Sequence, residues 1–136
     1  MSRIKKVGIA LLAIVIGAAA VYGSIVGIEG YNNQQYASLH EGCSAHHTSY
    51  LVTVIDGAAS PTNTVASKCD TLTIKNLDNV DRMMAFGIHE MHTAYDGVEE
   101  HELLGNQEFT ITLIQTGSFK FHDHMNEKVA GTFQVK

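Results

Sequence analysis

The sequence predicts an all-β domain, a small antiparallel β-sandwich over residues 50–136, set behind an N-terminal transmembrane helix. Three observations predict it. Short runs after Tyr50 alternate apolar and polar residues with period two, as strands with one buried face do. Turn signals part those runs at intervals of about ten to twenty residues. No helical stripe appears after residue 40.

The first element is Val7 to Ile28, 22 residues without a charge. A membrane-spanning helix needs roughly 20 apolar residues. Arg3, Lys5 and Lys6 precede the run and no comparable cluster follows, so the positive-inside rule places the N-terminus in the cytoplasm and residues 29–136 outside. A cleaved signal peptide is the competing reading, because Ala18-Ala19-Ala20 fits a small-residue cleavage pattern. Against cleavage, the apolar run continues through Val21, Tyr22, Ile25, Val26 and Ile28. Either way residues 1–28 deliver the rest of the chain across the membrane, and an uncleaved segment leaves a single-pass protein of the cell membrane with its C-terminal domain extracytoplasmic.

Residues 29–49 are polar, with Asn32, Asn33, Gln34, Gln35, His40, Glu41 and Gly42, and read as a tether. The strands follow. Tyr50–Ile55 ends at Asp56-Gly57; Thr71–Lys75 stops at Asn76; Phe109–Ile114 ends at Gln115-Thr116-Gly117; Ser118–Phe121 and Thr132–Val135 complete the set. Gly131 is read as a backbone residue that permits close packing at the last strand.

Charge narrows the function. Nine Lys+Arg stand against 14 Asp+Glu, and without the N-terminal cluster six basic residues face 14 acidic ones, a net of −8. That excludes a basic nucleic-acid-binding domain and suits a basic protein partner or cations. Cys43 and Cys69 form an even pair in an exported segment, where a disulfide is expected. Closing that loop of about 27 residues contributes roughly 3.5 kcal/mol in the chain-entropy picture. The rival reading makes Cys43, beside His46 and His47, a separate metal-loading site.

All eight histidines lie at or beyond residue 40. His89-Glu90-Met91-His92 follows the apolar Met83–Ile88, and His122-Asp123-His124-Met125 follows the strand Ser118–Phe121. Imidazole suits copper, zinc, nickel and iron. Two short-spaced pairs at strand edges make His89, His92, His122 and His124 the candidate ligands, provided that the two turns lie at one end of the sandwich. If Phe121 faces the core, Asp123 shares its face while His122 and His124 point the other way. Asp123 is then an acceptor that orients an imidazole or, alternatively, a hard oxygen ligand. Met91 and Met125 would add soft thioether contacts favouring Cu(I), although Met is more often core filler. His101, among Glu99, Glu100 and Glu102, reads as a solvated residue of an acidic loop, and His40, His46 and His47 belong to the tether.

Leu103–Leu113, Gly117–His124 and Gly131–Val135 resemble the C-terminal half of cupredoxins, and Thr71–Asn76 with His89 resembles the strand and first-ligand histidine of that family. The resemblance implies a Greek-key β-sandwich with copper at one end. There is one departure. Blue-copper members carry a Cys at the end of this strand, and aligning on Phe119-x-Phe121 puts Asp123 there. A His₂Cys centre is therefore not implied. His-Asp-His is more similar to the H-x-H elements of multicopper oxidase domains, whose copper ligands are all imidazole, although His89 and His92 have H-x-x-H spacing.

The expected function is a membrane-anchored copper protein that transfers electrons or handles copper outside the membrane, with a redox or copper-donor protein as partner. The alternative is a copper-dependent oxidoreductase subunit that builds a multinuclear site by oligomerisation. A third reading is an interaction module whose histidines act as pH switches.

Overall fold

The computed structural model describes residue 35, residues 37–43 and residues 47–136. The anchor expected over residues 1–28, the start of the tether and His46 lie outside the described residues. No helix among the described residues is long and apolar enough to cross a membrane.

Ten strands lie in the compact unit Leu39–Lys136. They are β1 (Ser49–Ile55), β2 (Ala58–Ser60), β3 (Asn63–Ala66), β4 (Thr71–Asn76), β5 (Arg82–Ile88), β6 (Met91–His92), β7 (Glu100–Leu103), β8 (Glu108–Thr112), β9 (Gly117–Asp123) and β10 (Asn126–Val135). One sheet has the order β2-β1-β4-β8; the other has β3-β10-β9-β5-β6, with β7 also on β5.

The inner faces meet in one core. Val52, Val54, Leu72, Ile74 and Ile111 come from the first sheet; Met84, Phe86, Phe121, Phe133 and Val135 come from the second. Phe86 meets Phe133 edge-on at 6.1 Å between centroids, and Tyr95 meets Phe133 at 5.1 Å. Each such side chain contributes about 1.5–3 kcal/mol by leaving water. Tyr95 is buried, and its hydroxyl donates to the Gln115 carbonyl at 3.0 Å, so the ring enters the core without stranding its polar end.

Three features depart from the sequence expectation. The sandwich is not wholly antiparallel: β1 pairs with β4, and β3 with β10, in parallel. The chain leaves the first sheet after β2, runs β3 along the edge of the second, and returns as β4 alongside β1. The acidic stretch taken as a loop contains β7, antiparallel to β5. The tether does not run to residue 49, because the compact unit begins at Leu39. Three contacts hold it there. Cys43 is bonded to Cys69, His40 Nε2 meets Asp96 Oδ1 at 2.6 Å, and the Thr48 N–H donates to Asp70 Oδ1 at 2.9 Å. The disulfide consumes both thiols, so Cys43 is no separate metal-loading site. Gly131 packs as expected, since a Cβ there would lie 2.4 Å from the Phe121 ring and 3.0 Å from the Thr62 carbonyl oxygen.

Candidate metal centre

The centre is built on the outer face of the six-stranded sheet, from strand register. Ala85 of β5 lies directly opposite His122 of β9 on one side and Glu100 of β7 on the other. Gly87, two residues on and therefore on the same face, lies opposite His92 of β6. Ala85 and Gly87 form a floor of small side chains, and the larger groups stand round it. Gly87 has a φ of 94°, and a Cβ there would come within 2.7 Å of the Met91 carbonyl oxygen. Only glycine permits the chain to turn back this tightly and bring His92 over β5.

The two histidine stretches, some thirty residues apart, meet here. Centroid separations are 5.6 Å for His89–His122, 4.8 Å for His89–His124, 5.2 Å for His92–His122 and 5.1 Å for His92–His124. Potential ligand atoms of His89, His122 and His124 all lie within 4.8 Å of one another, as do those of His92, Glu100 and His124. His124 belongs to both groups, so these are two halves of one cluster.

His122 sits deepest, 6% exposed. Burial, then the neighbouring His92 and His89, hold its imidazole below the ordinary histidine range, against an opposing backbone hydrogen bond to Gly87. It is thereby kept neutral with a lone pair to offer, the form that a metal requires. Its Nε2 is buried without a hydrogen-bond partner. Such a group costs about 1–3 kcal/mol unless something satisfies it, and a cation bound among these rings would do so. The donors are imidazole nitrogens with a carboxylate at the rim, a set suited to copper or zinc. The residues present therefore fit a metal ion.

Asp123 is not among the ligands. The pleat carries His122 and His124 to the outer face and Asp123 to the core face, opposite Met84. There it is 1% exposed; it takes the Arg82 guanidinium on Oδ2 at 2.8 Å and the N–H groups of Met83 and Met125 on Oδ1 at 3.2 and 3.0 Å. Arg82 also binds Asp78 and the Asn76 amide oxygen. The carboxylate is spent on this network, so Asp123 neither binds a metal nor orients an imidazole. It staples the end of β9 to β5, assisted by the His124 N–H, which donates to the Met83 carbonyl at 2.7 Å.

Met91 and Met125 are 67% and 77% exposed, which makes neither a core filler. His101 points away from the cluster and stacks on Phe109 at 4.5 Å. Sequence reasoning missed Glu100, whose Oε1 lies 2.7 Å from His92 Nδ1 and 3.9 Å from His124 Nδ1. The available signal was Glu100 and Glu102 alternating about His101 ahead of Leu103, a period-two run inside what looked like a charged loop.

No protein-family profile matches the chain, and no curated protein matches it in sequence. Solved structures do match in fold. A novel purple cupredoxin from Nitrosopumilus maritimus is similar with a TM-score of 0.56 at 16% identity, over 64% of this chain and 99% of that one. An amicyanin variant in its reduced Cu(I) form at pH 4 is similar with a TM-score of 0.55 at 14% identity, over 68% of this chain and 87% of that one. Amicyanin from Paracoccus versutus is similar with a TM-score of 0.53 at 14% identity, over 68% and 86%. At such identities the likeness establishes architecture alone: residues of the strand-bearing unit adopt the cupredoxin fold.

Proposed function

We propose that this chain is a copper-binding cupredoxin-like protein, anchored in the cell membrane with its domain extracytoplasmic, that transfers electrons or handles copper. The observation that carries the copper reading is the meeting of His89, His92, His122 and His124, with the His122 Nε2 buried and unpartnered. The fold shared with amicyanin, whose solved forms include a Cu(I) state, supports copper over the other metals that imidazole suits. Anchoring and export rest on the uncharged run Val7–Ile28 behind Arg3, Lys5 and Lys6. The acidic balance of the remainder supports a basic protein partner.

Bound copper would supply a one-electron Cu(II)/Cu(I) couple. The chain's own part is to hold four nitrogen donors on a sheet and keep His122 neutral. With both cysteines in the disulfide, no thiolate is available to give the colour of a blue site.

Titration of the full chain in detergent with Cu(II) is the test. One tight copper per chain with an axial paramagnetic resonance spectrum and nitrogen hyperfine structure is expected. No uptake, or an intense thiolate charge-transfer band, overturns the reading. Reduction then separates the two roles: copper retained through repeated cycles marks an electron carrier, and copper released on reduction marks a copper carrier.

A further inference from the structure

Glu100 is a carboxylate set among imidazoles by strand pairing, since β7 places it across Ala85 from His122. We propose that Glu100 is the positioning residue of the metal centre, fixing the ring and tautomer of His92 so that Nε2 faces the ion shared with His124. The inference rests on the copper reading and names the residue that organises the site.

The geometry is directional. Glu100 Oε1 lies 2.7 Å from His92 Nδ1. An ionised carboxylate only accepts, so Nδ1 carries the proton and Nε2 carries the lone pair. That Nε2 faces His124 Nδ1 at 3.4 Å, a long separation for a hydrogen bond. Two nitrogens bound to one ion at about 2.0–2.1 Å lie about 3.3–3.4 Å apart at a tetrahedral angle and about 2.9 Å apart at the right angle of a tetragonal Cu(II) site. The two atoms thus stand within about half an ångström of the spacing of ligands to a common ion.

Glu100 is free for this task. Among the described residues its ion-pair partners are His92 and His124, and the nearby Arg82 is committed to Asp78 and Asp123. Among the described residues, no second carboxylate does the same for another ring of the cluster. Glu127 is 3.6 Å from His89 Nδ1, beyond hydrogen-bonding distance, and its side chain is 71% exposed. The cluster therefore has one arm held by an anion and one arm held by ring stacking, His89 on His124.

The experiment compares the full chain with Glu100→Ala, Glu100→Gln and, as a control on the same strand face, Glu102→Ala. Nitrogen-15 resonance of the metal-free proteins reads the His92 tautomer, and competition with a chelator reads Cu(II) affinity. Wild type is expected to hold the proton on Nδ1. Glu100→Ala should move it toward Nε2 and lower Cu(II) affinity by about 10–100-fold, the usual cost of losing a ligand's supporting partner. Glu100→Gln keeps an acceptor without the charge, so it should restore most of the tautomer preference while shifting the Cu(II)/Cu(I) potential upward. Glu102→Ala should leave both readouts at wild-type values. An unchanged tautomer and affinity in Glu100→Ala, or an equal loss in Glu102→Ala, overturns the positioning role alone. A wild-type chain that takes up no copper overturns the copper reading and this inference with it.

Discussion

The tripeptide His122-Asp123-His124 sends its side chains to the two faces of one sheet, and the faces obey different rules. On the core face Asp123 is paired on both oxygens, with Arg82 and two backbone N–H groups. On the outer face His122 is almost as buried, yet its Nε2 has no partner. The satisfied group ties two strands together, and the unsatisfied one is the nitrogen that the proposed metal ion would complete. A buried polar atom without a partner costs about 1–3 kcal/mol, and an ion bound at the His122 Nε2 would remove that cost.

Several perturbations would break or sharpen this contrast. The largest effect is expected on the outer face. Replacing both His122 and His124 with Ala removes two of four imidazoles and should abolish tight copper binding, a loss greater than the roughly 10–100-fold that follows from losing a supporting residue. The metal-free variant should melt within a few degrees of wild type, as a metal-content assay paired with thermal unfolding would reveal. Unfolding of this variant would mean that the imidazoles are structural after all.

Next comes the core face. Asp123→Ala leaves the Arg82 charge buried with Asp78 as its remaining carboxylate partner. Breaking a buried pair in this way costs about 3–5 kcal/mol. Denaturant unfolding should show that loss, with copper stoichiometry unchanged under conditions where the variant folds. A stable Asp123→Ala protein that has lost its copper would reverse the roles assigned to the two faces.

Removing the Cys43–Cys69 bond, by Ser at both positions, should cost roughly 3.5 kcal/mol by restoring freedom to the unfolded loop. Copper affinity should not change, because both sulfurs are bonded to each other and stand outside the imidazole groups. The smallest effect concerns acid. Asp78 accepts from the Gly57 and Asp56 N–H groups and pairs with Arg82, and these hold its carboxyl below the ordinary 3.8 against the opposing effect of burial. The unfolded chain therefore takes up this proton first. The stability that Asp78 contributes is present above pH 3.8 and is lost as pH falls through the native value. Asp78→Asn should flatten that part of the acid unfolding profile while leaving copper binding intact near neutrality.

Sequence legibility differed by region for physical reasons. Strands with one wet face announced themselves: Thr71–Asn76 alternates half-buried and buried, as its sequence alternates. β5 did not. It lies between β9 and the β6 and β7 strands, and Ala85 is buried on the side away from the core, so its burial pattern has no period of two. β7 was hidden by its charges, because both faces of Glu100-His101-Glu102 are exposed. The parallel pairings are a matter of which sheet β3 joins, which short-range periodicity does not encode.

By itself the sequence determined the ingredients: a β-domain behind an uncharged apolar run, a pair of cysteines, two short-spaced histidine pairs, and a strand whose alternation, if carried past Phe121, parts Asp123 from its neighbours. Tertiary structure alone decided that the pairs meet, that Ala85 and Gly87 leave room for them, and that Glu100 rather than Asp123 supports a ring. Alternation along one strand is a local property of the backbone, legible from residue order. The position of a neighbour three strands away depends on register, and register is settled only when every buried face of the sandwich packs at once.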